Sequence, residues 1–401
     1  MKIGIIGQGY VGSPLSVAFA KAGVTVVGFD KNSELVQTLN SGVSHIEDIK
    51  SVELVSLVLS GKYKASDNPK DIDGSTVIII AVPTPLDSKR NPDLSFVESA
   101  SKLVGENLSS GTLIINESTS YPGTLRNLIS PIVEKYSSVK GLNLYAVSPE
   151  RVDPGNKKWN LRTTPRILSG LTQEGTQKAK EIYSLICDQI IEVSSPEVAE
   201  SAKLFENTFR QVNIALVNEF ARITDSLNIS VREVLDAANS KPYGFMKFEP
   251  GIGVGGHCIP VDPTYLAYIS EKNGIEPRFI KLANQINLET PSLIIKKIEK
   301  TFNTFLKEKN VLVCGLSYKS NISDVRESPS KILGEELMKS GARVDFYDPN
   351  VEGLGLEQNL ALNYHLAIIA VGHDNFNLEE IRKRSSLIFD VTGKFKEFPT
   401  I

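Results

Sequence analysis

The chain opens with a strand, a glycine motif and a helix in the space of thirty residues, and few folds tolerate that order. Lys2-Ile3-Gly4-Ile5-Ile6 is a short apolar run that reads as a buried strand. Gly7-Gln8-Gly9-Tyr10-Val11-Gly12 follows at once, a helix pattern continues through Ala22 to a stop at Gly23, and a second apolar strand from Val24 to Phe29 ends on Asp30. This is the βαβ unit of a dinucleotide-binding sheet. The first two glycines permit a tight turn and close approach of a pyrophosphate, the third lets the helix pack on the strand, and the helix N-terminus favours the phosphate charge. Asp30 is placed to accept hydrogen bonds from ribose hydroxyls and to repel a 2′-phosphate, which favours NAD. Lys31 beside it keeps NADP open, and another nucleotide in a similar fold is the alternative.

The same logic continues along the chain. Val77 to Val82 is a fully apolar strand running into Pro83-Thr84-Pro85, a stiff turn at the strand end where ligands of open α/β sheets sit. A helix is expected around Phe96–Leu108. Leu113–Asn116 and Leu144–Val147 are further strands, ending in Glu117-Ser118-Thr119 and Ser148-Pro149-Glu150-Arg151. Arg166–Gly170, a helix over Gln173–Cys187 and Ile190–Val193 complete a first domain, placed at 1–195. Taken singly, each polar strand end also reads as a capped loop.

Ser195 caps a helix with Pro196 in its first position, and no Gly or Pro interrupts it until about Leu227. A helix of about 30 residues is long for a globular domain and is expected to bridge domains, support a dimer interface, or both. Lys203 and Asn207, four apart, share one face of it; a solvated Lys and Asn are the plain alternative. The central segment, 196–300, also holds Pro250-Gly251-Ile252-Gly253-Val254-Gly255-Gly256-His257-Cys258-Ile259-Pro260-Val261-Asp262-Pro263. Such glycine density lets backbone approach a ligand closely, and a thiol set straight after it suits a nucleophile. The alternative is a glycine-rich turn with an ordinary cysteine. From about Lys309, Asn310–Leu316, a helix over Pro329–Lys339, and a strand ending at Asp348 repeat the opening βαβ pattern without its full glycine motif, and Ala367–Val371 and Leu387–Asp390 add parallel strands. The expected fold class is α/β: two Rossmann-like doubly wound parallel-sheet domains, 1–195 and 301–401, joined by a central helical domain with one long helix.

Composition removes several functions. A net charge of −3 with no block of like charge argues against a nucleic-acid surface. No apolar run approaches the ~20 residues of a membrane span, and the apolar run at Ile3–Ile6 is too short for a signal peptide, so a cytoplasmic setting is expected. Cys187, Cys258 and Cys314 lie far apart, which makes reactivity rather than a disulfide the question. The histidines are scattered and no metal site is expected.

Gly7 to Gly12, Val82-Pro83-Thr84-Pro85, Glu117-Ser118-Thr119, Ser148 to Arg151, Lys203 with Asn207, Gly253 to Asp262, and Gly315-Leu316-Ser317-Tyr318-Lys319 with Asp324 to Pro329 stand in the order found in one family. Over nearly its whole length the chain resembles the UDP-glucose/GDP-mannose (nucleotide-sugar 6-)dehydrogenases. The resemblance implies NAD as cofactor, a UDP-sugar substrate, a homodimer, and oxidation of the carbon-6 alcohol to a carboxylate. It implies Cys258 as the nucleophile that traps an aldehyde as thiohemiacetal and carries a thioester, Lys203 and Asn207 as oxyanion stabilisers, Asp262 as the acid that orients water, Glu150 in thioester hydrolysis, and Thr119 as a water-holding hydroxyl near the nicotinamide. Tyr10 and Val11 fall inside the cofactor motif. Glu150, Arg151, Lys203, Asn207, Tyr243, Phe245, Phe248, Gly255, Lys319 and Arg326 match the nucleotide-sugar side, with Tyr318 able to stack on a base.

The chain departs from the glucose-type members, which carry Ser before the cysteine and Phe-Pro-Lys after it. His257, Ile259-Pro260-Val261, Lys241 to Met246 and Asp153-Pro154-Gly155-Asn156 resemble the branch acting on UDP-N-acetylhexosamines, with UDP-N-acetylglucosamine expected first, UDP-N-acetylmannosamine next, and UDP-glucose or UDP-galactose behind. His257 is either a base for the thiol or a structural residue. Two other readings stay open: a nucleotide-sugar binding protein without activity, and a two-electron hydroxyacid-type dehydrogenase, whose chemistry needs no thiol.

Overall fold

Short apolar runs separated by amphipathic helices leave parallel strands as the economical arrangement, and that is what forms. The computed structural model describes residues 1–46, 48–153, 156, 158–355 and 363–401. Pro154 and Gly155 of the Asp153–Asn156 motif lie outside the described residues. The chain divides into two compact units, Met1–Glu206 and Asn207–Ile401.

The first unit is built on β1 (Lys2–Ile6), β2 (Thr25–Phe29), β3 (Tyr63–Ser66), β4 (Val77–Ile80), β5 (Leu113–Asn116), β6 (Leu144–Val147), β7 (Arg166–Gly170) and β8 (Ile190–Glu192). They lie in the order β3-β2-β1-β4-β5-β6-β7-β8. All neighbours run parallel except β6 and β7, where Ala146 faces Gly170 in antiparallel register. Between them come α1 (Gly12–Lys21), α2 (Ser33–Asn40), α3 (Ser51–Leu59), α4 (Ser95–Glu106), α5 (Ser130–Tyr136) and α6 (Gln173–Tyr183). Strand side chains alternate between faces. Ile3, Ile5, Ile79 and Ile115 join Leu15 and Phe19 of α1 and Ala179 and Tyr183 of α6 in one core. Ile78, Ile80 and Ile114, also buried, turn to the other face, where α4 packs on β4. Each fully buried aliphatic contributes about 1.5–3 kcal/mol.

The boundary falls inside α7 (Pro196–Ser226), so this 31-residue helix begins in one unit and ends in the other. The second unit continues with α8 (Val231–Asn239), α9 (Asp262–Lys272), α10 (Arg278–Phe302), α11 (Pro329–Lys339) and α12 (Leu378–Arg384), and with β9 (Asn310–Cys314), β10 (Arg343–Tyr347), β11 (Tyr364–Ile369) and β12 (Ser385–Asp390). Its parallel sheet has the order β10-β9-β11-β12. Val311, Val313, Leu366 and Ile368 face α10 and α11, while Leu312, Cys314, Ala367 and Ile369 face Ile381 of α12.

Elements with weak sequence signals are β3, whose Tyr-Lys-Ala-Ser has no β-branched run and which forms a sheet edge, and α5, which follows a π-helical stretch over Leu125–Ile129. The helix expected to reach Cys187 stops at Tyr183. Cys187 instead turns its thiol to the Thr164 and Gln189 carbonyls.

Candidate active site

At the carboxyl end of β1 the glycines do distinct jobs. Gly7 holds φ +93°, and a Cβ there would stand 2.5 Å from the Ala81 carbonyl oxygen. A Cβ on Gly12 would stand 1.8 Å from the Gly7 carbonyl oxygen, so α1 sits on the turn only because residue 12 has no side chain. Gly9 is different: no protein atom lies within 4 Å of a Cβ placed there. A side chain there would stand in open space. The first turn of α1 carries no acidic residue, leaving its N-terminal dipole available to a phosphate. Asp30 is half-buried at the end of β2, where it accepts from the Gln8 N–H at 2.8 Å and the Asn32 N–H at 3.0 Å. Thr84 and Thr119 are partly exposed and Pro83 exposed at the ends of neighbouring strands β4 and β5. Tyr10 is exposed and meets His45 edge-on. Gly9, the dipole and Asp30 together fit a dinucleotide.

Two strand ends away lies a buried ionic cluster. The Lys203 ammonium donates to the Glu150 backbone carbonyl at 2.5 Å. The Glu150 carboxylate accepts from the Arg151 and Val152 N–H groups at 2.6 Å each and from Arg166 Nη2 at 3.1 Å. Burial works against its charge, but the Arg166 guanidinium, these backbone donors and Lys203 outweigh it and hold the carboxyl below its ordinary range. Arg166 also reaches Glu117, with Nη1 2.9 Å from Oε1. Burial pushes Glu117 up to about 7 against the pull of Arg166, and the Glu150 charge adds to the rise. Arg151 binds Glu206 through Nε at 3.0 Å and the Pro165 carbonyl at 2.8 Å.

In the second unit Asn207, one turn beyond Lys203 on α7, donates to Asp262 Oδ2 at 2.6 Å, and both are buried. Asp262 opens α9, and its N–H donates to the Cys258 carbonyl at 2.8 Å. Of the three cysteines Cys258 alone is exposed. The preceding glycines pack closely: a Cβ on Gly255 would stand 2.6 Å from Pro329 and one on Gly256 2.8 Å from the Tyr318 ring. Tyr318 is thus placed against Gly256. The Gly256 N–H donates to the Arg326 carbonyl at 3.2 Å, and the Arg326 guanidinium is paired with Asp324. Desolvation of its ring, then the Arg326 charge, push His257 down to about 4, although the residue is exposed. Phe248 meets Phe209 with ring centroids 5.9 Å apart. Tyr243 and Phe245 are exposed and Lys319 is partly so.

Three successive parts of the chain match models of a single family. Residues 1–187 match the NAD binding domain of the UDP-glucose/GDP-mannose dehydrogenase family, 197–289 its central domain and 312–397 its UDP binding domain. The chain belongs to this family. It is 38% identical over 413 residues to UDP-N-acetyl-D-mannosamine dehydrogenase of Pyrococcus horikoshii, covering 100% of this chain and 97% of the relative. It is 36% identical over 415 residues to UDP-N-acetyl-D-glucosamine 6-dehydrogenase of Salmonella typhi, covering 98% and 96%. The solved P. horikoshii UDP-D-ManNAc dehydrogenase superposes with a TM-score of 0.90 at 35% identity, covering 100% of this chain and 97% of that one. The dehydrogenase is therefore an NAD-dependent oxidoreductase of the nucleotide-sugar 6-dehydrogenase family, with a UDP-binding C-terminal part. Among the described residues no helix is long and apolar enough to cross a membrane.

Several residues around the site lacked a motif to point to them. Gln8, an unspecified position of the glycine motif, is fully buried against Gly28, and its Oε1 accepts from Ser16 and Tyr63. Arg166 and Tyr183 likewise lacked one, and they join Glu117 of the Glu117-Ser118-Thr119 motif from elements far apart in sequence. An arginine opening an otherwise apolar strand, Arg166-Ile167-Leu168, was the available signal.

Proposed function

We propose that the dehydrogenase oxidises the carbon-6 alcohol of a UDP-N-acetylhexosamine, UDP-N-acetylglucosamine first and UDP-N-acetylmannosamine second, to the uronate through a covalent bond to Cys258. The observation that carries this is the exposed Cys258 thiol on a glycine-packed segment whose next helical turn opens with the buried Asn207–Asp262 pair. The relatives support an acetamido sugar by their names, which divide between the two hexosamines. Tyr243, Phe245, Phe248, Gly255, Lys319, Arg326 and Arg151 are proposed for the UDP-sugar. Gly7, Gly9, Tyr10, Val11, Gly12, Asp30, Pro83, Thr84 and Thr119 are proposed for the cofactor, with 1–195, 196–300 and 301–401 as working domains.

Two molecules of NAD in turn, held by the glycine motif and Asp30, would supply the hydride acceptor for the two oxidations. The residues of the chain do the rest. The Cys258 sulfur adds to the aldehyde carbon, so the aldehyde is never released. Lys203 and Asn207 supply positive charge and an N–H donor for the oxyanion formed by that addition. Asp262 orients a water through the carboxylate that Asn207 holds. Glu150 takes a proton from the water that attacks the thioester, and Cys258 leaves as thiolate. A homodimer is proposed from Phe209, Leu216 and Ile223, exposed apolar residues spaced by seven along α7; light scattering at twice the chain mass would support it.

The test is NADH yield per sugar with limiting UDP-N-acetylglucosamine. The expected result is two NADH per sugar for the native chain. Cys258→Ser is expected to lose the second, with sugar binding kept. Two normal NADH from Cys258→Ser would falsify the covalent route. Turnover confined to UDP-glucose would overturn the substrate choice alone.

A further inference from the structure

The chemistry above uses Glu150 but not the groups behind it, and those are arranged with unusual economy. One guanidinium stands between two carboxylates. Arg166, 4% exposed in its side chain, puts Nη1 2.9 Å from Glu117 Oε1 and Nη2 3.1 Å from Glu150 Oε2. Nη1 also donates to Ser148 Oγ at 3.3 Å. The guanidinium lies over the Tyr183 ring, 4.6 Å from its centroid. The Tyr183 hydroxyl donates to the same Glu117 oxygen that Arg166 binds. Ring, hydroxyl and Glu117 thus fix the far end of the fork, so that Nη2 can point in only one direction. At the near end the other Glu150 oxygen is pinned by the Arg151 and Val152 N–H groups. Glu117 Oε2 is buried without a hydrogen-bond partner among the described residues, as suits a carboxyl that shares the Arg166 cation with a neighbour.

We propose that Arg166 is a positioning residue for the hydrolytic half of the reaction, holding Glu150 ionised and aimed as the proton acceptor, with Glu117 and Tyr183 as its anchor. The inference rests on the reading of Glu150 as the hydrolytic residue. In that step water oxygen bonds to the thioester carbon, the carbon–sulfur bond breaks with its electron pair going to Cys258, and a water proton passes to Glu150. A carboxyl already protonated cannot take that proton. In this pocket burial favours the protonated form, and the two carboxylates share one guanidinium, with Lys203 adding positive charge only at the Glu150 backbone carbonyl. The groups facing Glu150 are Arg166 from β7, Lys203 from α7, and Glu117 beyond Arg166 at the end of β5; Arg151 is occupied by Glu206. The lowered state of Glu150 and the rise of Glu117 to about 7 agree with this division of charge.

The test is rapid-mixing NADH formation in the full-length Arg166→Gln enzyme with saturating NAD and sugar. The expected trace is a burst of two NADH per active site at near-native rate, then a steady rate lower by about a hundredfold. Because Arg166 lowers the Glu150 carboxyl, its loss should move the acidic limb of the steady-rate profile to higher pH. Where Arg166→Gln does not fold, Arg166→Lys keeps the charge without the fork: the two-NADH burst and slowed steady rate are still expected, with the acidic limb unmoved. Glu150→Gln is run beside it, and the Arg166 change should add no slowing in that background. An Arg166 variant that slows the first NADH as much as the steady rate, or that adds its full effect on top of Glu150→Gln, overturns the proposal in favour of an ion pair that only holds strands together. A Glu150→Gln enzyme that hydrolyses normally overturns the underlying reading instead, whatever Arg166 does.

Discussion

At the residue scale the glycine motif separates two demands that sequence alone presents as one. Gly12 serves the protein, since any side chain would overlap the Gly7 carbonyl. Gly9, proposed for the cofactor, has only open space where a side chain would stand. Gly12→Ala should therefore lower stability by about 1–3 kcal/mol through forced displacement of α1, and NAD binding with it. Gly9→Ala should leave the thermal midpoint unchanged or slightly raised, because Ala restricts the unfolded chain, while the apparent affinity for NAD falls at least tenfold. Thermal melts alongside NAD titration of both variants check the split; equal destabilisation by both would remove it. The motif itself was legible because its spacing is local. Gln8 was not, because its role depends on Gly28 and Tyr63, which only the folded sheet brings beside it. The Arg166 cluster was hidden for the same reason: Glu117, Glu150, Arg166 and Tyr183 meet only when the ends of β5, β6 and β7 and the last turn of α6 converge.

At the scale of elements, the long α7 and the glycine stretch were each legible, but not their coupling within the second unit. From Pro196 to Ser226 no Gly or further Pro breaks α7, which is why its length could be read from sequence. The glycine stretch has no periodicity of its own and takes its shape from what it packs on. The Gly251 N–H donates to Asn218 Oδ1 at 2.9 Å. Pro291 inside α10 has no N–H to give the Asn287 carbonyl, and Gly253, at φ +120°, stands with its Cα side 2.8 Å from that oxygen at the Cβ position. A proline in one helix thus leaves a carbonyl against which only glycine fits. Ile252 between them is buried in the core with Ile294 and Ile298. Asn218→Ala removes the acceptor from Gly251 and should cost about 1–3 kcal/mol. In urea the midpoint should fall with an unchanged slope, and iodoacetamide should label Cys258 faster than in the native chain. No change in either would mean that the stretch is held by Ile252 and the glycine contacts alone.

At the scale of the whole molecule the chain uses one βαβ opening twice, with opposite outcomes. Gly7 and Gly315 both hold φ just above +90°, their N–H groups donate to Phe29 and Tyr347 at the ends of β2 and β10, and each would clash with a carbonyl of the adjoining strand end, Ala81 or Val371, if it carried a side chain. Asp30 and Asp348 follow at equivalent points. Their environments diverge. Asp30 is half-buried and accepts from Gln8 and Asn32. Asp348 is fully buried, accepting from Leu316 at 2.8 Å, Ser317 at 2.9 Å and Asn350 at 2.9 Å, and meeting His373 Nε2 at 3.1 Å. The His373 ring in turn accepts from the Asn321 N–H and Asn350 side chain through Nδ1. No edge of that carboxylate remains for a ribose. The repeat was readable from sequence, and so was a strand ending in an acid; the sealing was not, because it depends on a histidine 25 residues farther on. One NAD per chain is the consequence, and equilibrium dialysis should count one. Asp30→Ala should weaken that binding by tenfold or more, about the 1.5–3 kcal/mol of hydrogen bonds to a charged group, with a smaller loss in melting than Asp348→Ala, since at this half-buried site the freed Gln8 and Asn32 N–H groups can turn to water. Asp348→Ala should act on stability instead: it strands three backbone donors and a histidine, and should cost on the order of 3 kcal/mol of stability while NAD stays bound at its native affinity. A second equivalent of NAD, or an Asp348→Ala chain that melts like the native one, would show that the second sheet is open to a dinucleotide after all.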